Sequence, residues 1–188
     1  MNPDSFKAPG ERHNPPPQPS PPLPGEREPS CAPRLLAGAI EVGMPLPPLV
    51  HAVSATTVVL GALASRDWRP MHHDKDFAVQ RNGMKDIFIN TPNNAAWFER
   101  YITDWTGPHG RLGRLSFQMK TPVFPGDEMR FSGVVTAIEC DASGCHWVEI
   151  ELGIHVGELL KTPGKARVAI PADASDNPWL RRGERWKP

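Results

Sequence analysis

The chain has 188 residues, enough for one ordinary domain with a single core and too few for two. Lys+Arg and Asp+Glu both number 21, so the formal charge is zero and no basic stripe offers itself to nucleic-acid phosphates. The longest apolar run, Thr56 to Ala64, falls far short of the ~20 residues that cross a bilayer, and the polar N-terminus has no charged-then-apolar leader pattern. A cytoplasmic protein without a membrane partner is the expectation.

Eleven of the 23 prolines lie in the first 33 residues, with hardly any large apolar side chains among them. Such a segment buries too little surface to offset its ordering entropy, so residues 1–36 are predicted to form a flexible, partly polyproline-like tail, a spacer or, at Pro15 to Pro24, a docking strip. The folded domain is expected over 37–172, followed by a C-terminal tail over 173–188.

Val50 to Val53 can make a short strand, and Ser54 caps an apolar helix running to about Ser65. That helix delivers Asp67 at its C-terminal end. Asp74 to Gln80 forms another helical turn, broken at Asn82-Gly83. The clearest helix has Thr91 as its cap, Pro92 at the first helical position and Gly107 beyond the end. Ala95, Phe98, Ile102 and Trp105 recur on it at helical spacing as one buried stripe.

After this helix the period becomes two. Leu115, Phe117 and Met119 alternate with polar residues, Pro125-Gly126-Asp127 is a turn, and Met129 to Glu139 is a second strand whose phase slips near Gly133, as a bulge would cause. Val148, Ile150, Leu152, Ile154 and Val156 give the cleanest alternation, and Ala166, Val168 and Ile170 a last strand. Consecutive strands with short links imply an antiparallel sheet, and the Pro92 to Trp105 helix is the only long amphipathic element that can cover it. The fold class is therefore α+β, a sheet wrapped around a central helix. Cys31, Cys140 and Cys145 form an odd set without disulfide-framework spacing, which suits a reducing compartment. Cys140 and Cys145 flank a turn and could face each other, but no second CxxC or nearby His pair completes a metal or redox site, and they read as strand-end thiols.

Asp67 and His72 stand five positions apart around Pro70, the equipment of an acid/base site. Both can hydrogen-bond a single water, with the proline limiting the backbone between them. The run Arg66-Asp67-Trp68-Arg69-Pro70-Met71-His72, with Asp74-Lys75-Asp76-Phe77-Ala78 after it, resembles the signature of MaoC-like hydratases, the (R)-specific enoyl-CoA hydratase family, at the acid, proline, histidine and Phe-Ala positions. The order of elements from about Glu41 to Ile170 is that of the family's hotdog fold.

The resemblance implies syn addition of water to a trans-2-enoyl-CoA thioester, or the reverse dehydration, by Asp67 and His72. It implies no metal or other cofactor, coenzyme A being part of the substrate. It also places an oxyanion donor at the start of the central helix, here Asn90, Thr91 and Asn93, although the family more often has His-Gly there. Arg69 stands where the family has Asn, a candidate contact for a CoA phosphate or a partner subunit, or else a solvated surface arginine. His73 is peripheral. Ile87 to Pro92, Trp97 to Tyr101 and Asp104 to Gly107 look like a subgroup associated with steroid side-chain degradation, which implies a bulky acyl group and a homodimer or a heteromer with a second hotdog chain, often one fused to a DUF35-type domain. Trp97, Phe98, Tyr101 and Trp105 are expected mostly in packing. A non-catalytic hotdog subunit supporting a partner hydratase and an acyl-CoA thioesterase are the alternative readings.

Overall fold

A computed structural model describes residues 35–188; the Pro-rich segment falls outside these, apart from its last two positions. Five antiparallel strands form one sheet in the order β1-β3-β4-β5-β2. They are β1 (Leu49–Ala52), β2 (Arg111–Phe117), β3 (Glu128–Cys140), β4 (His146–Val156) and β5 (Leu159–Ile170). Strands β3, β4 and β5 meander through short turns, while β1 pairs with β3 at one edge and β2 with β5 at the other. Three helices lie between β1 and β2 in the chain: α1 (Ala55–Ala64), α2 (Lys75–Gln80) and α3 (Thr91–Thr106). This is the α+β hotdog arrangement, with α3 against the apolar face of the sheet.

Phe98, Tyr101 and Ile102 carry the contact between α3 and the sheet, each at most 2% exposed. Phe98 meets Phe117 at 5.5 Å and Phe131 at 6.1 Å, and Tyr101 meets Phe131 at 5.6 Å between ring centroids. Burial of each such side chain contributes about 2 kcal/mol, far more than the helix's own propensity. Tyr101 joins the predicted stripe, whereas Ala95 and Trp105 are only half buried.

The sheet departs from the sequence reading at three points. The irregularity in β3 lies between Val135 and Ala137, not at Gly133. Gly133 is small for another reason: a Cβ there would come within 3.0 Å of Leu46 and 3.3 Å of Tyr101, so the glycine lets the central helix and the lead-in segment approach the strand. Strand β5 begins seven residues earlier than Ala166, running through Thr162-Pro163-Gly164. Pro163 is tolerated because the pairing with β2 ends at Gly164, leaving no ladder bond for the missing N–H to make on that side. Strand β2 covers 111–117 and leaves Met119 outside.

The C-terminal segment 173–188 lies on the opposite face of the sheet. Trp186 packs against Trp147 with ring centroids 4.9 Å apart and planes tilted by 45°, beside the buried Cys145 and Ala169. The Arg111 guanidinium lies 3.6 Å from the Trp186 ring centroid and donates to the Pro178 and Arg181 carbonyls. Cys145 is buried and Cys140 exposed, both free thiols. Among the described residues, no helix is long and apolar enough to cross a membrane.

Candidate active site

Helix α1 begins with a reciprocal cap: the Ser54 hydroxyl accepts from the Thr57 N–H at 3.0 Å, and the Ser54 N–H donates to the Thr57 hydroxyl at 3.3 Å. It ends in a Schellman turn, in which Arg66 N–H donates to Leu63 C=O at 3.0 Å and Asp67 N–H to Ala62 C=O at 2.9 Å. The residue past the C-cap is Arg66, at φ 54°, in a left-handed conformation that glycine usually fills. That strained residue turns the chain so that the Asp67 carboxylate leaves the helix sideways. Pro70 then starts a 3-10 turn over Pro70–His72, which carries His72 back towards Asp67.

His72 is 4% exposed. Its Nδ1 lies 2.8 Å from the Phe88 carbonyl oxygen, which only accepts, so Nδ1 carries the proton in the neutral ring. The Nε2 lone pair then faces Asp67 Oδ2 at 3.6 Å. The structure brings the two predicted residues together as two acceptors, either of which can take a proton from a molecule held between them.

Asn90 is the N-cap of α3, one residue before the predicted cap Thr91, and Pro92 is the second helical residue, not the first. The cap is set by the Asn90 side chain, whose Oδ1 accepts from the Asn93 N–H at 3.1 Å. That bond fixes the orientation of the amide. Its Nδ2 is therefore turned to Asp67 Oδ2 at 3.0 Å and the Ser65 hydroxyl at 2.9 Å. The Asn90 hydrogen bond is the main reason the Asp67 carboxyl lies below the usual range; partial burial opposes it, and the Arg69 N–H, His72 and the Arg69 guanidinium add to it. The charged and titratable groups facing Asp67 are thus His72 and Arg69.

The three residues expected at the oxyanion position separate in the structure. The Asn90 side chain serves Asp67. The Asn93 N–H is taken by the cap, and its side chain donates to the Thr57 carbonyl at 3.2 Å, away from the dyad. Thr91 N–H has no acceptor among the described residues, Pro92 has no N–H, and Thr91 and Pro92 line a cleft of 720 Å³ together with Ser65, Asp67 and Trp68. The start of α3 therefore leaves the Thr91 N–H, like the Asn90 N–H before it, without an acceptor among the described residues, at the positive end of the helix dipole. Arg69 lies at the mouth of the cleft with its side chain 74% exposed and Nε 3.9 Å from Asp67 Oδ1. His73 is exposed.

The sequence reading missed the Ser65 hydroxyl and the Phe88 carbonyl. A backbone carbonyl leaves no mark in the sequence, and Ser65 looked only like the end of a helix.

No family model matches the chain. It is 40% identical over 97 residues, 52% of this chain and 74% of the relative, to the 3-oxo-4,17-pregnadiene-20-carboxyl-CoA hydratase beta subunit of Mycobacterium tuberculosis (strain ATCC 25618 / H37Rv). Its structure is similar to the ChsH1-ChsH2 complex from Mycobacterium tuberculosis, with a TM-score of 0.64 and 29% identity over 69% of this chain and 98% of that one. The (R)-hydratase from A. caviae involved in PHA biosynthesis is similar at a TM-score of 0.63 and 27% identity, over 71% of this chain and 98% of that one. These likenesses, with Asp67 and His72 brought 3.6 Å apart, place the chain in the MaoC-like (R)-specific hydratase family, in the subgroup of its 40% identical relative, a hydratase beta subunit.

Proposed function

We propose that the chain is the dyad-bearing subunit of an enoyl-CoA hydratase, in which Asp67 and His72 activate one water for addition to a trans-2-enoyl thioester. The observation that carries this reading is the meeting of the two side chains: with His72 Nδ1 2.8 Å from the Phe88 carbonyl oxygen, Nε2 is left 3.6 Å from Oδ2 of Asp67, which lines the cleft.

Asp67, held ionised by its donors, is the weaker base of the two and orients the water through one O–H. His72 Nε2 takes the other proton. The water oxygen bonds to the β-carbon, the π electrons move onto the thioester oxygen, and the Thr91 N–H steadies that developing charge. The enolate then collapses by taking the proton from His72 Nε2 at the α-carbon. Because one nitrogen removes and returns the proton on one face, the addition is syn and His72 is neutral again at the end. The Asp67 carboxylate stabilises the transient imidazolium. The chemistry transfers protons only and asks for no redox step.

A bulky, rigid acyl group is the substrate class we favour. A groove of 430 Å³ lies between α1 and α3, lined by Leu60, Gly61, Ala64, Ala96 and Trp97 together with His51, Thr57, Asn93 and Arg100, and the 40% identical relative is named for a pregnadiene-carboxyl-CoA. That relative is a beta subunit and the similar structure is a two-component complex, which supports a heteromer with a second hotdog chain. Acyl-CoA substrates put its work in the cytoplasm.

The test uses the full chain alone and co-expressed with candidate hotdog partners. Expected are loss of the conjugated enoyl absorbance, a 3-hydroxyacyl-CoA of R configuration, no release of free CoA, and higher kcat/KM for polycyclic than for short linear acyl groups. Free thiol release without hydration would make the protein a thioesterase instead. An active assembly that keeps wild-type rates in both Asp67→Asn and His72→Ala would assign the chemistry to the partner.

A further inference from the structure

Asn90 makes three contacts through one amide, and the three partners belong to three different tasks. Its Oδ1 caps α3 on the Asn93 N–H, while its Nδ2 donates to Asp67 Oδ2 and to the Ser65 hydroxyl at the end of α1. The side chain is in a residue only 2% exposed, so water does not substitute for any of these bonds without rearrangement. Ser65 is itself fixed, since its hydroxyl donates to the Gly61 carbonyl at 2.8 Å. The amide therefore ties the C-terminal end of α1, the carboxylate of the dyad and the first turn of α3 into one rigid unit.

We infer that Asn90 is the positioning residue of the active site, a single buried amide that sets the Asp67 carboxylate and the oxyanion helix in a fixed relation to each other. Two consequences follow from the geometry. First, the Nδ2 donor holds Asp67 as a carboxylate and aims Oδ2 at His72, so the water-orienting acceptor is present at neutral pH. Second, the cap consumes the Asn93 N–H and leaves the N–H of Thr91, a residue lining the cleft, without an acceptor among the described residues. A shift of the carboxylate against the helix start would misplace the water relative to the thioester, which loses rate and not affinity. The inference rests on the hydratase reading for its kinetic half alone.

The test separates the cap from the clamp. Asn90→Ser keeps an N-cap hydroxyl but is too short to reach Asp67. Asn90→Asp keeps an N-cap oxygen and replaces the Nδ2 donor with a second carboxylate oxygen. Both variants, in the full chain with its co-expressed partner, are followed by two readouts. In a carbon-detected NMR titration of side-chain carboxyls, the Asp67 pKa rises in both, further in Asn90→Asp, where a like charge faces it. In kinetics, kcat falls at least about tenfold with KM within threefold, and the acid limb of the kcat profile moves to higher pH.

The NMR arm does not need the reaction. A raised Asp67 pKa in a protein that hydrates no enoyl-CoA would uphold the clamp and sink the hydratase reading. An unmoved Asp67 pKa in either folded variant overturns the inference. So does a raised pKa with kcat and its acid limb unchanged in an active enzyme. Should Asn90→Ser fail to fold, Asn90→Asp alone decides in the same way.

Discussion

Replacing Asp67 by Asn keeps the shape of the side chain and removes its charge and half of its accepting capacity. In the native site Oδ2 accepts from Asn90 Nδ2 at 3.0 Å and Oδ1 from the Arg69 N–H at 3.3 Å. An asparagine has one oxygen and one NH₂, so in either orientation a donor is set against a donor. That mismatch costs about 1 kcal/mol, at the low end for a buried unmade bond because the Asp67 side chain is 17% exposed. A loss of that size lowers Tm by about 2–4 °C in a domain of this length. The catalytic loss is much larger, ~10²–10⁴ in kcat, because the water loses one of its two acceptors and the imidazolium its counter-charge. The assay is initial-rate hydration of enoyl-CoA alongside thermal unfolding, for Asp67→Asn, His72→Ala and the double variant. Since both side chains act on one water, the double variant should be no slower than the slower single one. Losses that multiply would refute the shared-water mechanism, and an Asp67→Asn enzyme within threefold of wild type would refute any role for the carboxylate.

Asp141 at the β3–β4 turn provides a pH test. Burial pushes its carboxyl up, but bonds from the Ser143 side chain, Trp147 Nε1 and the Cys145 and Ser143 N–H groups outweigh this and leave it well below the usual range. A depressed folded pKa gives stability that is present above the ordinary carboxylate value and lost as pH falls through the folded one. Asp141→Asn should therefore show a flatter acid limb in Tm against pH and be about 1–3 kcal/mol less stable at pH 7 in urea unfolding. Arg66→Gly relieves a left-handed non-glycine residue and should raise stability by up to about 1 kcal/mol with the Schellman turn intact. Gly61→Ala would place a methyl 1.9 Å from Asn93 Nδ2, driving α1 and α3 apart at a cost of about 1–3 kcal/mol and weakening activity on bulky acyl groups more than on short ones, as competing-substrate kinetics would register.

Much of this architecture is legible in the sequence because its signals are local. Ser54 at the start of α1, Gly107 after α3 and the alternation from Val148 to Ile154 each report a short-range preference that the fold respects. Where the reading slipped, a tertiary contact had overruled the local sign. Gly133 looked like a bulge because glycine in a strand has two common uses, and only the neighbouring Tyr101 and Leu46 distinguish a close approach from a kink. Pro163 hid the first half of β5, since a proline argues against a strand unless the partner ladder has already ended. Tyr101 was expected in packing but left out of the helix stripe, because its hydroxyl counts as polar in a pattern, while its ring is buried against Phe131.

The same division runs through the site. Asp67 and His72 were legible because a five-residue spacing around a proline constrains their relation before any tertiary contact forms. Asn90 stood among the expected site residues, but its side-chain bond to Asp67 was not foreseen, because the two meet across 23 residues of chain. Nothing local distinguishes an asparagine that caps a helix from one that also steadies a carboxylate, as the cap alone explains its presence. The difference lies in what the second end of the amide touches. Here the sharp turn at Arg66, the packing of α1 against α3 through Gly61 and the anchored Ser65 hydroxyl all act to bring that end to Asp67. The nearness of Asp67 and His72 was written into the sequence as a motif, whereas the support of the pair is assembled from residues whose local preferences are ordinary and whose meeting depends on the whole fold.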